Sequence, residues 1–290
     1  MSFDMREFSI TLMRPNGTGA PYTKTFHCGG KDGFKADVVV EEGGMPSKVG
    51  CSFTIYGVSE KTVDEFTSLV YLPRTFNRYN QVIITCNGQS VFKGTLTSIF
   101  GNYGAAPNIV LSGIGILGIV ESIEQQKQRA INAEDKMLLN DAFALLAKDL
   151  GFSFEWNPSV TGICNTTVLQ GTYHDQIQQL ARENDINLVM YDFVVRIASP
   201  KDAPVNRTPI LISQDTGLIG YPTFIADGLK FRTLYNPQLH IGCVVNVRSI
   251  VAKTSGSWCV RKVTSSLSVL PNGKWEQSVE CYLHGRNLDD

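Results

Sequence analysis

Residues Ser213–Val247 read SQDTGLIGYPTFIADGLKFRTLYNPQLHIGCVVNV. Gly217, Gly220, Pro222, Gly228, Asn236-Pro237 and Gly242 punctuate this stretch at short intervals, with short apolar or alternating runs between them. Such spacing predicts β structure with demanding turns: a fixed loop followed by two strands. The stretch contains none of the residue pairs expected of a catalytic centre.

Outward from it, the same style recurs at both ends of the chain. Before residue 120, strands are expected at Arg6–Met13, Ala36–Glu41, Val49–Tyr56 and Asn108–Ile119. Gln81–Cys86 and Gln89–Ile99 flank Asn87-Gly88, the strongest short hairpin signal. Ser59 is placed to cap a short helix whose apolar residues Val63, Phe66 and Val70 recur at helical spacing. After residue 205, strands are expected at Cys243–Val251, Trp258–Val269 and Trp275–Leu283, the last two joined through Pro271-Asn272-Gly273-Lys274. In the last strand Trp275, Gln277, Val279, Cys281 and Leu283 share one face.

The middle differs. Residues 121–133 are polar and read as an exposed connection. Leu139, Phe143, Leu146, Ala147 and Leu150 form one helical face, with Asn132 able to cap its start and Gly151 its end. A second helix opens at Thr172 with Asp175 in a capping-box position. Each helix leads into strands, at Phe152–Trp156 and at Ile186–Tyr191 with Val194–Ala198. Leu146–Asp149 and Leu180–Glu183 correspond at an offset of 34 residues. Pro200, Pro204 and Pro209 mark the exit. The fold class is therefore α+β, mainly β: a β domain over 1–120, an α/β middle domain with its connecting segment over 121–204, and a β domain over 205–290.

Composition narrows the function. The 290 residues carry 26 basic and 27 acidic side chains, a net charge of -1, which argues against a chain whose main task is to grip phosphate backbones. Charged residues make up 18%, below the usual ~25%, leaving uncharged surface for burial against partners. The seven cysteines are widely spaced and never form CxxC, so they read as buried free thiols of a reducing compartment. The N-terminus lacks the apolar run of a signal peptide and no stretch reaches membrane-spanning length, so Asn16, Asn165 and Asn206 are expected to be chance sequons and no membrane binding is expected.

Chemical motifs are few. Gly113-Ile114-Gly115-Ile116-Leu117-Gly118 matches the dinucleotide G-x-G-x-x-G, with Glu134 downstream, and supports a nucleotide-binding enzyme as the alternative function. The surroundings lack the β-α-β alternation that this motif requires, and glycines in a strand equally suit close approach of a neighbouring chain. His27, His174, His240 and His284 have no partner at metal-ligand spacing. Neither metal nor cofactor is expected. Paired carboxylates of a hydrolase are invisible without a fold. Tyr71–Tyr79 interleaves aromatics and bases, as single-strand nucleic-acid binders do, but near-neutral charge favours a docking loop.

Thr216–Pro222, Gly228-Leu229, Leu234–Leu239 and Gly242 together resemble the hub proteins of bacteriophage tail baseplates. Phe8–Met13, Ile55-Tyr56-Gly57, Gly171-Thr172-Tyr173 with Leu180-Ala181, Trp258–Val263 and Gly273-Lys274-Trp275 extend the resemblance over most of the chain. It implies a non-enzymatic, cofactor-free homotrimer in the tail baseplate of the virion, made in the host bacterial cytoplasm. Each chain would bring two tube-type β-barrels, over 1–120 and 205–290, to a pseudo-hexameric ring. That ring would join the sixfold tail tube to a threefold spike and pass genomic DNA. The tail tube protein, central spike protein, tape measure protein and baseplate wedge proteins would be the partners; the hub of a contractile secretion apparatus is a related alternative. Thr216, Gly217, Leu218, Ile219, Tyr221, Pro222, Phe224, Asn236 and Pro237 would then serve assembly.

Overall fold

A computed structural model describes residues 6–14, 22–43, 49–67, 80–103, 109–117, 129–130, 137–164, 168–200, 202–205 and 208–283. Tyr71–Tyr79, Gly118, Asn132, Glu134, His284, the three sequon asparagines and most of the 121–133 connection lie outside these residues. The chain is mainly β and divides into two compact units. Residues 1–41, 49–117 and 264–276 form the first; residues 42–48, 118–263 and 277–290 form the second.

Among the described residues the first seven strands of the chain pair with one another antiparallel. Strands β1 (Glu7–Arg14), β2 (Tyr22–Gly29), β3 (Lys35–Gly43), β4 (Gly50–Val58), β5 (Gln81–Cys86), β6 (Gln89–Asn102) and β7 (Ile109–Ile116) lie in the order β2-β1-β5-β6-β7-β4-β3. Period-two alternation sets which face is buried: Ala36, Val38 and Val40 pack inward from β3, with Cys51, Phe53 and Ile55 from β4 and Val82, Ile84 and Cys86 from β5. Asn87 and Gly88 both take positive φ and turn β5 into β6 as a primed hairpin. Helix α1 (Glu60–Thr67) starts where Ser59 Oγ accepts the Thr62 N–H, and it buries Val63 and Phe66. Residues 264–276 complete this unit: Val269 N–H donates to Ala36 O, Arg6 donates to Gly273 O, and the Trp275 ring lies 6.0 Å from Phe8.

Of the Gly113–Gly118 motif, Gly113 to Ile116 belong to strand β7. Gly113 and Gly115 sit inside β7, hydrogen-bonded on one side to β4 and on the other to β6. A Cβ at Gly113 would stand 2.4 Å from the Phe53 ring, and one at Gly115 would stand 2.7 Å from Val82 Cγ1. Glycine is needed there for close packing inside the sheet.

The second unit contains an α/β lobe and a β portion. In the lobe, β8 (Arg129–Ala130) pairs with β10 (Val168–Leu169). Strands β9 (Ser153–Trp156), β11 (Asn187–Tyr191) and β12 (Val194–Ala198) form a separate sheet in the order β11-β12-β9. Helices α2 (Leu139–Leu150) and α3 (Tyr173–Glu183) pack on each other, burying Phe143, Leu146, Ala147 and Leu150 from one and Ile177, Leu180 and Ala181 from the other. Gly151 ends α2 in the left-handed conformation, and Thr172 with Asp175 makes a complete capping box on α3. The cap of α2 is Leu138 rather than Asn132, because Gly162 O already accepts the Leu139 N–H.

In the β portion, β13 (Ile210–Ile212), β14 (Leu218–Ile225), β15 (Gly228–Leu234), β16 (Val244–Val247), β17 (Gly256–Ser268) and β18 (Trp275–Leu283) run β14-β15-β18-β17, with β16 on β17 and β13 on β16. The two long strands β17 and β18 are divided between the units at Val263/Thr264 and Glu276/Gln277. Gln277, Val279 and Cys281 point inward, as the alternation of β18 predicts. The strand expected at Cys243–Val251 stops at Val247, where Ser249 N–H turns to Ser255 Oγ ahead of a 3-10 turn at Ala252–Thr254.

Candidate assembly surface

The turn ahead of β14 is fixed by Thr216. Its hydroxyl oxygen accepts the Ser213 N–H at 2.7 Å, and the hydroxyl lies 2.9 Å from Leu211 O as donor. Leu218 N–H closes the turn onto Ser213 O. Gly217 has φ +109, and its carbonyl accepts both the Leu234 N–H and the Thr233 hydroxyl. A side chain there would be strained by φ and would press on Leu234.

Leu218–Pro222, expected as a loop, belongs to strand β14. It reads like a loop because its register against β15 shifts between Ile219 and Thr223. Gly220 at φ +71 and Pro222, which has no N–H, account for the break: together they make a β-bulge. Among the described residues β14 pairs only with β15, so it is an edge strand, the position where a proline is tolerated.

The bulge sorts the side chains. Leu218 and Pro222 turn inward and Ile219 is half-buried, whereas Tyr221 is 64% and Phe224 53% exposed. The Phe224 ring lies 6.4 Å from Trp258. Trp258 Nε1 donates to Thr254 O, and the Thr254 hydroxyl donates to Val251 O. Exposed Val251 and Ile250 thus neighbour the same strip. Sequence reasoning missed these two by assigning them to a strand.

Asn236 and Pro237 lie on a different footing. Asn236 N–H donates to the buried Gln277 Oε1 at 2.9 Å, and Gln277 Nε2 donates to Leu239 O at 3.3 Å. Pro237 O lies 2.8 Å from His240 Nε2. His240 Nδ1 is 2.8 Å from Oε1 of Glu42, itself only 1% exposed, whose Oε2 accepts the Ile241 N–H. The Tyr191 ring stacks on His240 at 4.1 Å; burial first, and the nearby Glu42 second, push its phenol well up. The Asn236–Gly242 segment is therefore moored from beneath by Gln277 and Glu42. No local signal could reveal Glu42, which is 198 residues away in sequence.

Among the described residues no three His, Cys, Asp or Glu side chains stand together as a metal site, and no helix is long and apolar enough to cross a membrane. All seven cysteines are buried and free.

An edge strand with exposed aromatics is a geometry that can join chains. The family described as Baseplate hub gp41 matches residues 84–269. The chain belongs to this family. It is thus a structural component of a phage tail. No curated protein matches it in sequence. Among solved structures, the fold is shared with the 43 kDa tail protein of prophage MuSo2 from Shewanella oneidensis, at 10% identity and TM-score 0.61, covering 96% of this chain and 98% of that one. A tail protein from Neisseria meningitidis MC58 is similar at 11% identity and TM-score 0.60, covering 96% and 97%. The E. coli c3393 protein, a type VI secretion component described as structurally similar to T4 tail proteins gp27 and gp5, follows at 9% identity and TM-score 0.58, covering 87% and 76%.

Proposed function

We infer that the hub works as a homotrimer. Each chain contributes two tube-type barrels, built on residues 1–120 and 205–290 with 121–204 between them, to a pseudo-hexameric ring. The ring joins the sixfold tail tube to the threefold spike. Two similar barrels per chain reconcile three with six, and a heterologous ring of this kind must close by symmetry. Tail tube, central spike, tape measure and wedge proteins are its neighbours in the baseplate. A net charge of -1 suits a lumen that lets DNA pass without holding it.

The observation that carries this reading is the bulged edge strand β14, which holds Tyr221 and Phe224 outward while Thr216, Gly217, Leu218 and Pro222 fix it from within. Burying such side chains between subunits contributes about 25 cal/mol per Å2. Mass photometry of the purified chain over a concentration series tests it. A concentration-dependent trimer with no thermal response to nucleotides is the expected result; a monomer at all concentrations that nucleotides stabilise overturns it. The likeness to the type VI component supports a second setting, the hub of a contractile secretion apparatus, in which the same surfaces would be used.

A further inference from the structure

Two turns of the described chain carry the dipeptide Asn-Gly, and their surroundings differ. Asn87-Gly88 joins β5 to β6, and Asn272-Gly273 lies between β17 and β18. Both asparagines take positive φ, +51 and +62. The tip at Asn87-Gly88 is bare. Both residues are exposed, and a Cβ built on Gly88 would meet nothing within 4 Å. Among the described residues, neither the Asn87 carboxamide nor the Gly88 N–H has a hydrogen-bond partner. The ladder beneath closes at Cys86 and Gln89 and slips register between Ile84 and Thr85, so the turn stands just beyond a bulge.

The second turn is laced down. Gly273 N–H donates to Leu270 O at 3.0 Å, and Gly273 O accepts from Arg6 at 2.8 Å. Ser268 N–H donates to Lys274 O across the same turn, and a Cβ on Gly273 would collide with Ser268 Oγ. The Arg6 guanidinium also lies over the Trp275 ring, which holds the clamp in place.

This contrast decides reactivity. In an Asn-Gly pair the glycine nitrogen can attack the asparagine Cγ, because no side chain shields it. The N–Cγ bond forms, the nitrogen gives its proton to water, the Cγ–Nδ2 bond breaks and Nδ2 leaves as ammonia. Water then opens the five-membered imide at either carbonyl, leaving aspartate or isoaspartate. One water enters, one ammonia leaves, and nothing is oxidised or reduced. The attack needs a free nitrogen and a backbone able to rotate towards Cγ. Gly88 has both, whereas Gly273 must first give up the Leu270 and Arg6 bonds.

We propose that Asn87 is a site of spontaneous modification, converted by water to isoaspartate and aspartate in the folded chain, while Asn272 is held intact by its turn. Asn87 and Gly88 line a polar cleft of about 510 Å3 together with Glu7, His27, Lys31 and Asp32, so water reaches the imide and the new carboxylate is solvated. The site is independent of the trimer reading.

The test keeps the full chain in mildly alkaline buffer at body temperature for weeks. The two Asn-Gly peptides are then resolved by liquid chromatography and mass spectrometry after digestion. Conversion at Asn87 should run at least roughly tenfold ahead of Asn272, since the held turn must lose hydrogen bonds before it reacts. In denaturant the two rates should come within about twofold, because the folded turns no longer distinguish them. Incubation in heavy-oxygen water should place a heavy oxygen in the product at position 87. Equal rates in the folded chain, faster conversion at Asn272, or an Asn87 that stays intact while the denatured chain converts overturns the proposal. So does a product at position 87 without the heavy oxygen.

Discussion

Single residues hold this chain where its backbone has no ladder to lean on. Gln277 is buried in β18 and serves two backbone groups of the Asn236–Gly242 segment. Gln277→Leu keeps the volume but strands the Asn236 N–H and the Leu239 carbonyl. It should cost roughly 2–6 kcal/mol, read from chemical denaturation, because each buried orphan costs about 1–3 kcal/mol. An unchanged midpoint would show that the segment finds water instead. The cysteines make a pH prediction. Burial pushes Cys28 and Cys51 from 9.0 up to about 12, and Cys86 and Cys259 up to about 11. A thiol whose pKa is raised on folding stabilises the fold fully below its unfolded value, and that stability is lost as pH rises through the folded value. Stability should therefore fall from about pH 9 towards 11–12, and native thiols should resist iodoacetamide at pH 8 until denaturant is added.

Elements differ in how plainly the sequence announces them, and β14 shows why. Local chemistry is legible: Asn87-Gly88, the Thr172 capping box and Gly151 stand where their backbone preferences demand. Strand β2 escapes notice because Tyr22, Thr23, Lys24 and Thr25 are polar or half-buried, so only Phe26 and Cys28 show its inward face. The Gly220 and Pro222 signals in β14 are turn signals taken singly, yet in an edge strand they make a bulge. The Glu42–His240 mooring joins residues 198 apart and has no local trace at all. The bulge gives β14 a division of labour that mutation can separate. Tyr221 is exposed in the single chain, so Tyr221→Ala should move its own stability by no more than about 0.5 kcal/mol. As an interface anchor it should cost about 2 kcal/mol of association, roughly thirtyfold in the dissociation constant. Sedimentation velocity beside thermal denaturation reads the two effects separately; an unchanged oligomer counts against β14 as an assembly element.

At the scale of the whole molecule, chain order and spatial order part company. The β domain expected over 1–120 is contiguous in sequence, yet the first unit takes back residues 264–276 from the far end of the chain. These residues supply the Val269 bond to β3, the Gly273 carbonyl for Arg6 and the Trp275 ring against Phe8. A fragment ending at residue 120 would leave unpaired the edge of β3 that faces β17 and would uncover Phe8. Unpaired apolar strand edges recruit other chains. The fragment should thus be recovered mostly as aggregate, or melt well below the full chain. Supplying residues 264–276 through a glycine-serine linker should restore a soluble, cooperatively melting protein. If residues 1–120 alone fold as a soluble monomer with the full chain's melting temperature, the returning segment is an accessory, and the first β domain is self-sufficient.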